Sequence, residues 1–304
     1  MTLLPERLTT QIHCGDTTIA IDPWQMDTMD RRKLLQLATG ALVSPLFETT
    51  RELQIAVAVR SDQLSRYADQ LRSLPAIEIE DWLDPTFPDS AAEAIPVIRE
   101  SLAGYKGRLL LSGPFIDLNP GSAEKLVQRA TRQRFDECHE FAHAIEAREI
   151  IFLSSYLPLI NLSFYDKGWI AQSVTFWRAY LGAISSDMTI SLCNTFEYHP
   201  DLMVRVVEEV NRPNFRLAFD LGHFLVYGKE PLAEWLRKTA GRTSCVYVHS
   251  NDGHVDTHDE PGEGVLTCKQ IRDVSKAVEP NATLILKMNN KGSLSRSIGW
   301  LKAC

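Results

Sequence analysis

The sequence predicts an α/β fold, a closed (β/α)8 TIM barrel over residues 53–304 with an N-terminal extension over 1–52. Three observations lead there. Eight short apolar runs recur between residues 53 and 289. Segments with helical spacing of apolar residues lie between them. The runs are nearly continuous in apolar residues, as expected of parallel strands covered on both faces. Eight strand–helix units are the number that closes a barrel. An open doubly wound sheet is the alternative; the G-x-G-x-x-G turn of a dinucleotide-binding sheet is absent, which counts against it and against a nucleotide cofactor.

In chain order, TQIHCGDTTIAI (10–21) alternates about Gly15-Asp16 and predicts a hairpin. A helix over 30–41 follows, and the extension reads as a plug for one end of the domain. The apolar runs are LQIAVAV (53–59), AIEIEDWL (76–83), RLLLSGPF (108–115) and EIIFLSSY (149–156). They continue with TISLCNTF (189–196), RLAFDLGHF (216–224), SCVYVHSND (244–252) and TLILKMN (283–289). Between them, 122–147 carries Leu126, Val127, Phe135, Phe141 and Ile145 at helical spacing, and 200–210 is a second helix. Pro200 and Pro231 suit helix first turns. No low-complexity linker interrupts 53–304, which reads as one domain.

The 304 residues are 44% hydrophobic and 23% charged, ordinary globular values. The formal net charge of −7 argues against general nucleic-acid binding. The six cysteines, Cys14, Cys138, Cys193, Cys245, Cys268 and Cys304, form no CxxC pair, so a reduced, cytoplasmic setting is the expectation. No apolar run is long enough to span a bilayer, so no membrane partner is expected. The stretch MDRRKLLQLATGALVSPLF (29–47) offers an alternative, export by a twin-arginine-like signal. It begins late and lacks an A-x-A cleavage site, which favours an amphipathic helix packed on the barrel.

In such a barrel, chemistry gathers where strands end and βα loops begin. The strand ends carry Ser112 to Phe115, Cys193-Asn194, Asp220 to His223, His249 to Asp252 and Lys287, and the loop after the seventh run adds Asp256-Thr257-His258. Singly, each is most simply a capping or solvated residue. Together, Asp220, His223, His249, Asp256 and His258 would meet at one rim. Imidazole and carboxylate are good donors for a divalent ion such as Zn or Mn.

These motifs give the sequence a family resemblance. Residues 53–302 resemble the xylose-isomerase-like barrels, which include sugar-phosphate isomerases and epimerases and the endonuclease IV group. FDLGH (219–223) matches the Asp-x-x-His after strand six, VHSND (248–252) the His after strand seven, and DTH (256–258) with PGEG (261–264) the Asp-x-His and its glycine turn. LSGPFIDLN (111–119) looks like a degenerate form of the strand-three motif. The resemblance implies one divalent metal held by Glu, Asp, His and Glu; here those positions read Cys193, Asp220, His249 and Lys287. The endonuclease group's histidines on strands three and four match Ser112 and Leu153. His223, Asp256 and His258 survive as the trio that holds that group's third zinc; in single-metal epimerases the first of them faces the substrate.

Protonated lysine has no lone pair and cannot ligate a metal. Exchanging Glu for Lys raises the local charge by two units, the charge of the missing ion. Lys287 is therefore expected beside Asp220, neutralising it in a metal-free main site. Alternatively Cys193, Asp220 and His249 form a three-ligand zinc site; the plainer reading of Cys193 is a small buried residue. Lys287 has further alternatives as an anchor for a substrate anion or a Schiff-base nucleophile. The catalytic candidates are Lys287, His223 and Glu263, with His258 beside them. The substrate-binding candidates are Phe115, Asn194 and Tyr156, with Trp82, Trp169, Asn251 and Asn289 behind them. The expected function is isomerisation or epimerisation of a small polyhydroxylated compound, with dehydration a variant. The alternative is a non-catalytic descendant that binds a small molecule or a protein. An abasic-site endonuclease would need its full zinc set and a basic surface. The sequence leaves the oligomeric state open.

Overall fold

A computed structural model of the chain describes residues 10–14, 17–21, 54–160, 162–289 and 291–304. The chain divides into two compact units, Met1–Arg51 and Glu52–Cys304. In the first, β1 (Thr10–Cys14) and β2 (Thr17–Ile21) pair antiparallel, with Cys14 opposite Thr17. The expected helix over 30–41 and the arginine-led stretch 29–47 lie outside the described residues.

The second unit is a closed barrel of eight parallel strands in the order β10-β3-β4-β5-β6-β7-β8-β9. These are β3 (Gln54–Val59), β4 (Ala76–Ile79), β5 (Arg108–Ser112) and β6 (Glu149–Leu153). β7 (Thr189–Cys193), β8 (Phe215–Asp220), β9 (Thr243–Val248) and β10 (Thr283–Leu286) complete it. The helices between them are α1 (Ala68–Arg72), α2 (Ala91–Ser101), α3 (Lys125–Ala144), α4 (Ser163–Leu181) and α5 (Asp201–Val210). They are followed by α6 (Leu221–Tyr227), α7 (Leu232–Thr239), α8 (Cys268–Ala277) and α9 (Leu294–Ala303). Pro200 and Pro231 stand at the starts of α5 and α7. The fold is the TIM barrel, and the eight apolar runs are its eight strands.

Strand alternation builds two cores. Ile55, Val57 and Val59 face outward into the large cluster shared with the helices. Ala56 and Ala58 face inward, into a smaller cluster with Cys193, Ala218, Cys245 and Tyr247. Two apolar runs extend past their strands. The run from Ala76 breaks after Ile79 into the 3-10 turn Asp81–Leu83, because the buried Asp81 carboxylate accepts from Ser61 N and Oγ, both at 2.7 Å. The run through Asp220 turns into α6 at that residue, whose side chain accepts from His223 N at 2.8 Å as an N-cap.

The expectation of fully reduced cysteines is corrected by one pair. Cys268, the first residue of α8, and Cys304, which follows α9, form a disulfide across 36 positions, while Cys138, Cys193 and Cys245 are free and buried. The pair was invisible to spacing rules because the winding of consecutive helices about β10, not a short cysteine spacing, brings the start of α8 to the end of α9. Among the described residues, no helix is long and apolar enough to cross a membrane.

Candidate metal centre and active-site cavity

The polar cluster forms at the C-terminal ends of β8 and β9. Asp220 ends β8 and is 1% exposed. His223 lies one turn into α6, where its Nδ1 is 2.9 Å from the Asn194 carbonyl oxygen and its Nε2 is 3.1 Å from Asp256 Oδ2. His249 follows β9, fully buried, with Nε2 2.9 Å from Asp220 Oδ1. Such close packing requires Gly222: a Cβ there would stand 2.0 Å from the His249 ring.

The loop from 250 to 264 supplies the rest. Ser250 and Asp259 exchange backbone hydrogen bonds of 2.9 and 2.8 Å, which pinch its base. Asp252 Oδ1 accepts from the backbone nitrogens of His254 and Val255, both at 2.8 Å, and turns the tip. His258 has φ of +52°, a left-handed conformation uncommon for a residue with a side chain. Its Nδ1 lies 2.8 Å from the Lys287 carbonyl oxygen, and its Nε2 is 3.2 Å from Asp256 Oδ2.

Each imidazole thus spends one nitrogen on a fixed acceptor and turns the other toward Asp256. That is the arrangement in which outer hydrogen bonds orient metal-binding histidines. Ligand atoms of His223, His249, Asp256 and His258 all lie within 4.8 Å of one another. Asp256 Oδ2 is 3.1 and 3.2 Å from its two imidazole neighbours, close to the roughly 3.3 Å edge of a tetrahedron with 2.0 Å bonds. His249 Nδ1 and Asp256 Oδ1 face each other at 3.6 Å, buried and without hydrogen-bond partners among the described residues. The donor set and these two orphaned atoms fit a divalent ion.

Burial drives Asp220 and Asp256 toward the neutral form, but the surrounding imidazoles overcome it and hold both well below the usual carboxylate range. Burial lowers His223, yet Asp220 and Asp256 outweigh it and raise that imidazole to about 9. Burial dominates at His249 and pulls it below 6.5.

Lys287 stands at the end of β10, and the expectation that it neutralises Asp220 is corrected. Its ammonium donates to Ser112 Oγ at 2.9 Å, lies 3.8 Å from Glu78 Oε2 and 4.0 Å from Glu80 Oε2, and covers the Tyr247 ring at 4.3 Å. Asp220 is balanced by histidines instead. The reason is Glu78, a fully buried carboxyl on β4 that accepts from Ser112 Oγ at 2.7 Å and from the Tyr247 hydroxyl. Burial raises Glu78, and Lys287 opposes that rise.

Cluster and lysine share one cavity of about 220 Å3. Asp220, His223, Asp256, His258, Lys287 and Phe115 line it. Other expected residues stand elsewhere. Cys193 is packed among inward-facing side chains, and burial keeps its thiol protonated, well above the usual range; it is no part of the ligand group. Asn194 braces the cluster: its side chain donates to the Asp220 carbonyl at 3.0 Å and accepts from the Asp220 amide at 2.7 Å. The Tyr156 hydroxyl donates to Asp166 at 2.5 Å, outside the cavity lining, and Trp82 and Trp169 are core. The Glu263 side chain is 63% exposed and faces Arg296 at 4.0 Å, away from the cavity. Asn251 and Asn289 donate to the backbone at Gly222 and Thr257. Sequence reasoning missed Glu78, Tyr247, Leu83, Phe196 and Tyr227; an acid inside the otherwise apolar AIEI of β4 was the available signal for the first.

Comparisons with known proteins bear on this site. Residues 73–304 match the family model described as xylose isomerase-like TIM barrel. An uncharacterized protein of Methanocaldococcus jannaschii, MJ1311, is 20% identical over 193 residues, spanning 61% of this chain and 66% of that protein. The crystal structure of a D-tagatose 3-epimerase-like protein superposes with a TM-score of 0.68 at 20% identity, covering 83% of this chain and 96% of that one. The TTHB071 protein of Thermus thermophilus, soaked with ZnCl2, superposes at 0.63 and 20% identity, covering 83% and 97%.

Proposed function

Since the chain belongs to the xylose isomerase-like TIM-barrel family, we propose that it is a metal-dependent isomerase or epimerase of a small, hydroxyl-bearing, sugar-like compound. The observation that carries this reading is the set of three imidazoles, each fixed at one nitrogen and turned at the other toward Asp256. His223, Asp256 and His258 would hold a zinc or manganese ion, with His249 Nδ1 or a substrate oxygen completing its shell. Such an ion supplies polarisation of a substrate carbonyl. Asp220 and Asn194 hold the histidines in place from behind.

Lys287 is the proton-transfer group of this proposal. Its amino group lines the cavity beside the cluster, and Ser112 and Glu78 stand behind it to take up or return the proton. The test is hydrogen exchange. A panel of ketoses, aldoses, their deoxy analogues and inositol-derived ring ketones is incubated in D2O with the Zn-, Mn- or Co-loaded protein and with the metal-free protein. The reading expects metal-dependent deuterium uptake next to a carbonyl, lost in Lys287→Met although the ion still binds.

The second reading is a non-catalytic binder. Ser112, Leu153 and Cys193 favour it, since they stand where the family resemblance leads one to expect ligands and acid–base groups. Metal-dependent binding without exchange across the whole panel would put this reading in place of the first.

For localisation, the Cys268–Cys304 disulfide favours export over the cytoplasm, because such bonds persist in oxidising compartments. Mass spectrometry after thiol blocking of the natively expressed protein decides: two free thiols at these positions would restore the cytoplasmic reading.

A further inference from the structure

The walls of the cavity are sorted by strand. Asp220, His223, Asp256, His258 and Lys287 come from the ends and loops of β8, β9 and β10, with Tyr227 and Tyr247 beside them. The opposite arc is mainly hydrocarbon: Ile151 and Leu153 on β6, Phe115 in the loop after β5 and Phe196 in the loop after β7, with Ser112 at the end of β5 bonded to Lys287. Leu83, from the turn after β4, continues it. Thr195 Oγ1 is a buried polar atom on this arc without a hydrogen-bond partner among the described residues. The loops after β5 and β6 carry the same character to the surface at Ile116, Leu157 and Leu159.

Size narrows the ligand further. A cavity of roughly 150 Å3 holds benzene, so about 220 Å3 takes one substituted six-membered ring. A sugar hydroxylated on every carbon would press several hydroxyls against Leu153 and Phe196, stripping their water without replacing the hydrogen bonds.

Resting on the metal reading above, we infer that the ligand is a single-ring compound with neighbouring oxygens along one edge and hydrocarbon along the other. A deoxy sugar and a partly hydroxylated carbocyclic ketone share this chemistry. The oxygenated edge meets the ion and Lys287, the apolar edge meets Phe115, Ile151, Leu153 and Phe196, and Thr195 takes one polar substituent.

Hydroxamates test this without knowledge of the natural ligand, because they present two oxygens to a metal and differ only in their tail. Acetohydroxamate and benzohydroxamate are titrated into the zinc-loaded full chain by calorimetry, each corrected for its affinity for free zinc. Benzohydroxamate is expected to bind at least tenfold tighter, about 1.4 kcal/mol. Phe196→Ser and Leu153→Asn should each cut that ratio below threefold, and melting curves establish that each variant folds; either one suffices. Zinc bound with equal hydroxamate affinities, or a ratio that survives both substitutions, overturns the inference and spares the metal reading. Failure to bind zinc overturns both, since the oxygenated edge then has no partner.

Discussion

His249 and His258 lie face to face, their ring centroids 3.8 Å apart and their planes 8° from parallel. Two imidazolium rings cannot share that stack without strong repulsion. The extra proton of the metal-free centre therefore sits on His223, between Asp220 and Asp256. Nitrogen-detected NMR of metal-free protein should show His223 titrating near pH 9 and His249 below 6.5. Since the folded value of His223 is raised, its contribution to stability is complete below about pH 6.5 and is lost as pH rises through 9. The metal-free melting temperature should fall across that window, and His223→Gln should flatten the fall.

Metal binding must displace that proton. Zinc affinity should consequently rise with pH from 6 to 9, with close to one proton released per ion in buffers of different ionisation heat. Asp256→Asn and His258→Ala should each weaken zinc by at least tenfold. Cys193→Ser should change it less than twofold, since the thiol packs away from the ligand group. A tenfold loss in the cysteine variant would return Cys193 to the ligand set.

Gly222 is a packing requirement of the centre. Alanine there would place a methyl group 2.0 Å from the His249 ring. We expect Gly222→Ala to cost about 1–3 kcal/mol in chemical denaturation, the usual range for overpacking. It should also weaken zinc, because the displaced imidazole cannot keep its hydrogen bond to Asp220.

Lys287→Met removes the cation beside a buried carboxyl. Glu78, already raised by burial, should rise further, so that stability is kept in acid and lost as pH climbs through its folded value. Urea midpoints measured from pH 5 to 8 check the slope. Combining Lys287→Met with Glu78→Gln should abolish it; a slope that persists in the double variant would place its origin elsewhere.

The barrel was legible because its strands are buried on both faces: Ile55 to Val59 reads as one apolar run whichever way each side chain points. The Asp220–His223 spacing was legible for a local reason, since an acid at the end of a strand caps the helix that begins there. The partners of Lys287 were not. In the closed order, β3 stands between β10 and β4, so the lysine reaches Glu78 across the barrel interior, a geometry that no local pattern encodes. Glu263 misled because its acidic loop bends outward to Arg296 after Gly262 and before Gly264, both at positive φ. The disulfide and the contact of Phe196 with Tyr227, 5.1 Å between ring centroids, are likewise products of tertiary folding.

The two sides of the cavity are built from consecutive stretches of chain, residues 83–196 and 220–287, tied together by Asn194, which braces Asp220 and His223, and by Ser112, which holds Lys287. Grafting the earlier stretch from a relative, with those two residues kept, would retune which molecules enter while the ion-binding half stays whole, and drift in the later stretch would silence the chemistry without closing the door. A barrel arranged this way can diversify by halves.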